Sequence, residues 1–313
     1  MLSAVQGQSE GVRLLRRVVE GHVTTPLLLV GADGTGRRFS VIEAAKEAFS
    51  KGDPESIHCV QITKGMHPDL VVVRPEDDKE IGVEAMRALV EQAGSFPSMV
   101  SSRFVIIDGA DAMTTAAANV LLKTLEEPPP TSRFFLLAES ASAVLPTIRS
   151  RCGVVRYRPL PEKFILDYLR EHTDDDAKAL VCCRLAEGSV GRAYQYLASG
   201  RLSLRNKVLS LLKVGLSQDV SSLFSSIDEI ESDLDRGLRF LDHLLRDLLM
   251  LPHDPSRITN VDVVDQLDAL RGQIGEARLS ALLRESRQVR ERSRSKIILP
   301  FHVKACFLAA FSD

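Results

Sequence analysis

The sequence predicts an α/β domain built on a parallel sheet, followed by two helical domains, and three observations carry that prediction. Short β-branched and leucine-rich runs alternate with helical stretches through the first half of the chain. One of those runs feeds a glycine-spaced loop, "LLLVGADGTGRR" at 27 to 38, the layout of a strand, a phosphate loop and a helix start. After about Pro159 the strand signal fades and helical spacing takes over.

The strand candidates are "PLLLVG", "DLVVVRP", "RFVIIDG", "RFFLLAE" and "GVVRYRP". Helical patterning between them covers 8 to 20, 36 to 51, 82 to 94 and 114 to 126. The last of these opens with hydroxyl residues able to cap free amides, continues in alanine and leucine, and stops at Pro128-Pro129-Pro130. From "LPEKFILDYLREH" to "GRAYQYLASG" three short helices are expected, with Gly188 and Gly200 as breaks. From Arg201 onward leucines recur at three- and four-residue spacing, as in "LRFLDHLLRDLLML". The expected domains are therefore 1–158 (α/β), 159–200 (small and helical) and 201–313 (all helical).

Composition narrows the class without deciding function. The 313 residues and 44% hydrophobic share are ample for packed cores, and no apolar run reaches the ~18 residues of a membrane helix. The N-terminus lacks the apolar core of a secretory signal, so a cytoplasmic protein without a membrane partner is expected. A net charge of −2 gives no global sign of nucleic-acid binding. Five cysteines without CxxC spacing argue for reduced thiols and against a disulfide framework or a zinc module.

The loop repays a chemical reading. A working GxxxxGK[ST] loop cradles phosphates with backbone N–H groups, reaches them with lysine and holds Mg²⁺ with a hydroxyl. Gly31, Gly34 and Gly36 keep the glycine layout, but Arg37 stands at the lysine position and Arg38 at the hydroxyl position. An arginine fork does not reproduce a compact ammonium, and Arg38 cannot ligate a metal. Asp108, at the end of "FVIID", occupies the place of a metal-organising acid, yet Gly109 follows where a hydrolysing protein would carry glutamate. Asp111 lies too far along to take that role. Loss of hydrolysis is the expectation. Residual phosphate binding through the backbone cradle and helix dipole stays open, as does a mere packing turn.

"AANVLLKTLEEPP" (117 to 129), "LPTIRSRC" (145 to 152) and "GMHPDLVVVRPE" (65 to 76), the last followed by "IGVEAMRALVE", together form a specific signature. The chain resembles the bacterial DNA polymerase III clamp-loader subunits of the AAA+ class, of delta-prime type, from the "VQGQ" segment near the N-terminus through "LRDLL" at 245 to 249, weakening in the C-terminal third. The resemblance implies an AAA+ P-loop-type domain, a helical lid and a helical collar joining a five-subunit ring with gamma/tau-type and delta-type subunits. It implies that the ring loads the β sliding clamp on primed-template DNA, and that this subunit is a stator without a cofactor of its own. ATP and Mg²⁺ would sit at the neighbouring subunit's site. Ser150-Arg151-Cys152 matches the family's arginine-finger motif, so Arg151 is expected to reach a neighbour's ATP; a local salt bridge and the competing Arg149 remain alternatives. An active ATPase with a variant loop, and a diverged AAA+ adaptor outside replication, also stay open.

Several departures from the family pattern stand out. Many relatives carry a four-cysteine zinc module before the "HPD" segment, whereas "FSKGDPESIHCVQITKGMHPD" keeps only Cys59, with His58 and His67 as further donors. Three donors make a weak zinc site, and a shortened loop held by packing is expected. In "GSVGRAYQYL", Gly191 stands where hydrolysing relatives place a nucleotide-contacting arginine, and Arg192 is displaced by about 100° around a helix. Ser140 could stand at a γ-phosphate-sensing position but reads better as a turn residue. The basic run 284 to 296, with Arg287, Arg290 and Arg294 on one stripe, is either a solvated helix face or a DNA contact.

Overall fold

In a computed structural model of the chain, residues 1–75, 80–198, 200, 202–216 and 233–294 are described. The chain divides into two compact units. The first comprises Met1–Pro161 with Gly188–Gly191, and the second Glu162–Glu187 with the chain from Arg192.

The first unit holds the expected parallel sheet. Its strands are β1 (Leu27–Val30), β2 (Leu70–Val73), β3 (Arg103–Asp108), β4 (Ser132–Ala138) and β5 (Gly153–Arg156). They lie in the order β2-β3-β4-β1-β5, and every pairing is parallel. Both faces are covered, which is why the strands read as near-continuous apolar runs. Successive residues point to opposite faces with period two. Leu28, Val105, Ile107, Phe134 and Leu136 pack with Met86, Leu89, Leu121 and Leu125. Those four belong to α4 (Val83–Gly94) and α5 (Thr115–Glu126). Leu27, Leu29, Phe104, Ile106, Phe135 and Leu137 pack on the other face against Leu15, Val18, Val41 and Phe49. These come from α1 (Ser9–Val19) and α2 (Arg37–Ser50).

Helix starts follow local chemistry. Thr114 caps α5 by accepting a hydrogen bond from the Ala117 N–H, as the hydroxyl pair in the sequence predicts. The segment between α2 and β2 differs from expectation: it contains a two-turn helix, α3 (Ile57–Thr63), capped by Ser56. Its seven residues were too short to stand out by periodicity. A further single turn, α6 (Pro146–Arg149), starts on a proline whose fixed φ suits a first helical position.

The second unit is helical throughout its described part. It contains α7 (Glu162–Arg170), α8 (Asp176–Leu185), most of α9 (Val190–Ala198), α10 (Leu202–Leu216), α11 (Leu234–Met250), α12 (Val264–Arg271) and α13 (Glu276–Arg294). Leu238, Leu241, Leu244, Leu245 and Leu248 of α11 are all buried, the core stripe that leucine spacing predicts. Asp247 on the same helix is fully buried and accepts hydrogen bonds from the Thr259 and Asn260 N–H groups at 2.9 and 2.8 Å, fixing the turn that follows. Part of the basic run also turns inward. Arg290 pairs with Asp242 at 3.0 Å, and the Ser286 hydroxyl donates to the same carboxylate at 2.6 Å. Arg287 is exposed, and residues 295 and 296 of the run lie outside the described residues. No helix among the described residues is long and apolar enough to cross a membrane.

Candidate functional site

The loop 31–36 leaves β1, which lies between β4 and β5, and enters α2, as the sequence predicts. Its glycines serve different purposes. Gly34 and Gly36 have φ of +74° and +95°, left-handed geometry that suits glycine. Gly31 is instead a close-approach residue: a Cβ there would lie 2.5 Å from the Tyr157 carbonyl oxygen. Thr35 folds its hydroxyl back onto the Ala32 carbonyl at 2.7 Å. A residue that sequence reasoning did not single out, Gln8, braces the loop. Its buried amide donates to the carbonyls of Thr35 (3.1 Å) and Arg158 (2.7 Å) and accepts from the Arg158 N–H (3.1 Å). The isolated glutamine after "QG" carried no periodic signal.

Arg37 is buried at the start of α2, with its guanidinium 3.9 Å from Asp33. Arg38 reaches across to β3, where its Nη1 lies 3.7 Å from Asp108 Oδ2. A guanidinium thus faces the carboxylate at the position where a metal-dependent loop would need a hydroxyl and a cation. Burial raises the Asp108 carboxyl above the ordinary carboxylate value, although Arg38 and Arg37 pull it back. Gly109 has φ of +103°, and a Cβ there would meet the Pro75 ring at 3.0 Å. Asp111 is committed elsewhere, accepting the Glu139 N–H at 2.8 Å. At Gly191 a Cβ would come 3.3 Å from Gly34 Cα, so little room separates the two backbones. Ser140 shares a hydrogen bond with Ser142 at 2.7 Å and accepts the Ser142 N–H, a local turn.

A second cluster lies at the other end of β1 and β5, away from the loop. Ser150, Arg151 and Cys152 follow α6 and lead into β5. Cys152 packs against the core, and burial pushes its thiol up to about 12, so it remains a neutral thiol at physiological pH. The Ser150 hydroxyl donates to the Thr147 carbonyl at 3.1 Å. Arg151 stays partly exposed. Its Nε donates to Glu126 Oε1 at 2.8 Å, its Nη2 bonds the same oxygen, and its Nη1 donates to the Thr147 carbonyl at 2.7 Å. The local salt bridge left open by the sequence is therefore present. Arg149 turns away to the Ala141 carbonyl at 3.2 Å. An open cleft of about 610 Å³ borders this cluster, lined by Thr24, Thr25, Pro26, Glu126, Ser150 and Arg151 among others.

The three candidate metal donors, a weak site from the sequence, make other bonds. Cys59 is buried with its thiol directed to the Asp53 carbonyl at 3.5 Å. His67 Nδ1 accepts the Asp69 N–H at 3.1 Å, which leaves Nε2 as the protonated nitrogen that donates to His58 Nδ1 at 2.9 Å. Among the described residues no group of three or more His, Cys, Asp or Glu is arranged to hold a metal ion.

Comparison with known proteins places this architecture. A family model described as DNA polymerase III, delta subunit, matches residues 7–161. The chain is 32% identical over 240 residues to the DNA polymerase III subunit delta' of Escherichia coli K12, spanning 76% of this chain and 71% of that protein. It is 30% identical to the DNA polymerase III subunit delta' of Pseudomonas aeruginosa, over 82% of this chain and 81% of its relative. Among solved structures, a DNA polymerase III gamma subunit-related protein of Thermotoga maritima superposes with a TM-score of 0.50 at 19% identity, covering 90% of this chain and 99% of that one. The last likeness speaks to the fold, an AAA+ α/β domain with helical C-terminal parts.

Proposed function

Since the chain belongs to the DNA polymerase III delta' family, we propose that it is a non-hydrolysing clamp-loader subunit that lends Arg151 to the ATP site of a neighbouring subunit. The observation that carries the first half is the Arg38–Asp108 contact. A guanidinium faces the carboxylate that would organise Mg²⁺, and the metal-binding hydroxyl is missing from position 38. A hydrolysing loop needs a hydroxyl-held Mg²⁺ bridging phosphate oxygens, and an arginine at that position cannot hold the metal. Gly109 removes the water-positioning carboxylate in addition.

Placement supports the second half. Arg151 sits on the rim of an open cleft, on a segment anchored by a half-buried cysteine and a hydrogen-bonded hydroxyl. Such an arginine can project across a subunit interface. There its planar fork would offset the charge that grows on the γ-phosphoryl oxygens as the terminal phosphoryl group passes to water, an effect worth ~10³ or more in rate. In this reading the partners are gamma/tau-type and delta-type subunits, and through the assembled ring the β sliding clamp and primed DNA.

The test is a loader assembled with the wild-type chain or with Arg151→Ala, assayed for clamp- and DNA-stimulated ATPase. Loss of turnover with normal assembly is expected, and undiminished turnover removes the finger role. Titrating the isolated chain with ATP and Mg²⁺ checks the other half, since binding with turnover would make the chain an ATPase in its own right.

A further inference from the structure

Arg151 is already occupied in the unassembled chain. Nε and Nη2, the two donors that form one edge of the guanidinium fork, both bond Oε1 of Glu126, while Nη1 is held by the Thr147 carbonyl. A phosphate approached through that edge must displace the carboxylate. The cleft beside the pair is lined by Glu126, Ser150 and Arg151 together, so an anion entering from this side meets the arginine and its carboxylate at once.

Resting on the reading of Arg151 as a trans-acting finger, we propose that Glu126 is a latch that parks Arg151 in the unassembled subunit and is exchanged for the triphosphate of a neighbouring subunit on assembly. The exchange is feasible because both side chains are partly solvent-exposed, 31% for Arg151 and 49% for Glu126, and pairs of this kind open readily. The place of Glu126 also matters. It is the last residue of α5, where the helix dipole disfavours a carboxylate. Arg151 compensates that charge while parked. Once the arginine leaves, the carboxylate is left at the negative end of the helix, which sets a threshold for release. Glu126 is thus a positioning residue acting through Arg151, and it contacts no substrate.

The latch is tested in an assembled loader carrying the wild-type chain, Glu126→Gln, Arg151→Ala or both substitutions, with ATP as the probe. Glutamine keeps the shape and removes the competing charge. The KM for ATP should fall by about two- to fivefold in Glu126→Gln, the scale of one exposed ion pair. Residual turnover of the double variant should show no such fall relative to Arg151→Ala. In the unassembled chain, modification of Arg151 by a dicarbonyl reagent should be faster in Glu126→Gln, a readout independent of turnover. An unchanged or higher KM, in a loader that does lose turnover with Arg151→Ala, overturns the latch and leaves the finger standing. Full turnover with Arg151→Ala overturns the finger and the latch with it.

Discussion

Arg38 Nη1 lies 3.7 Å from Asp108 Oδ2, joining the first turn of α2 to the end of β3 across the mouth of the glycine loop. The contact converts a position that could accept a divalent cation into one that already has a positive partner. Removing the guanidinium should restore sensitivity to cations. The thermal unfolding midpoint of the wild-type chain is expected to ignore millimolar Mg²⁺, whereas that of Arg38→Ala should rise with it. The partly exposed pair itself is worth no more than about 1 kcal/mol, so the variant remains folded. An equal Mg²⁺ response in both proteins would contradict the assignment.

Placing a glutamate at position 109 should not confer ATP turnover. Gly109 has φ of +103°, a region that side-chain-bearing residues rarely adopt, and a Cβ would press on Pro75. Gly109→Glu is expected to cost about 1–3 kcal/mol in urea unfolding. It should also leave the isolated chain without measurable ATP turnover. A stable, active variant would show that the backbone here is more permissive than its dihedral angle implies.

The hydrogen bonds around Asp69 predict a large structural cost. Asp69 is fully buried, accepts the Ser98 and Met99 N–H groups at 2.8 and 2.7 Å, and pairs with buried Arg103 at 3.2 Å. Burial by itself would raise its carboxyl, but these N–H groups and the Arg103 guanidinium outweigh it and hold the group below the ordinary value. Asp69→Ala leaves the buried Arg103 charge without its carboxylate, with only the Gln92, Ser95 and Phe96 oxygens as acceptors, and should destabilise the chain by about 3–5 kcal/mol. Replacing both residues by apolar ones should cost less than the single change, as a double-mutant cycle in urea would reveal.

A pH dependence follows from His67. Burial lowers its pKa below 6.5, and neighbouring His58 lowers it further, against an opposing pull from Asp69. The unfolded chain therefore takes up protons before the folded one as pH falls through 6.5. Stability from this residue is present above that value and is lost as pH falls towards the folded pKa. Buried His243 acts in the same direction, its pKa lowered chiefly by desolvation. Unfolding free energy should be smaller at about pH 5.5 than at pH 7.5, and His67→Asn should flatten that difference. Identical slopes for the two proteins would rule out His67 as a source.

Much of the first unit is written locally. Runs such as "FVIID" and "FFLLA" bury on both faces of a parallel sheet, so their unbroken apolar character signals them directly. The α3 helix escaped because two turns carry too little periodicity. The basic stripe misled in part because spacing along one helix says nothing of what faces it, and the partner of Arg290 is Asp242, 48 positions earlier in the chain.

The sequence by itself determined the sheet, the glycine loop, the two arginines that follow it, and the Ser-Arg-Cys segment. Each depends on residue type and short-range spacing. Only the tertiary structure decided that Arg38 answers Asp108, that Gln8 braces the loop, that Gly31 is demanded by Tyr157 and that Arg151 is held by Glu126. Those are meetings between residues from 25 to 150 positions apart. Parallel strands and their crossover helices bring such residues together, and contact at that separation leaves no trace in local pattern.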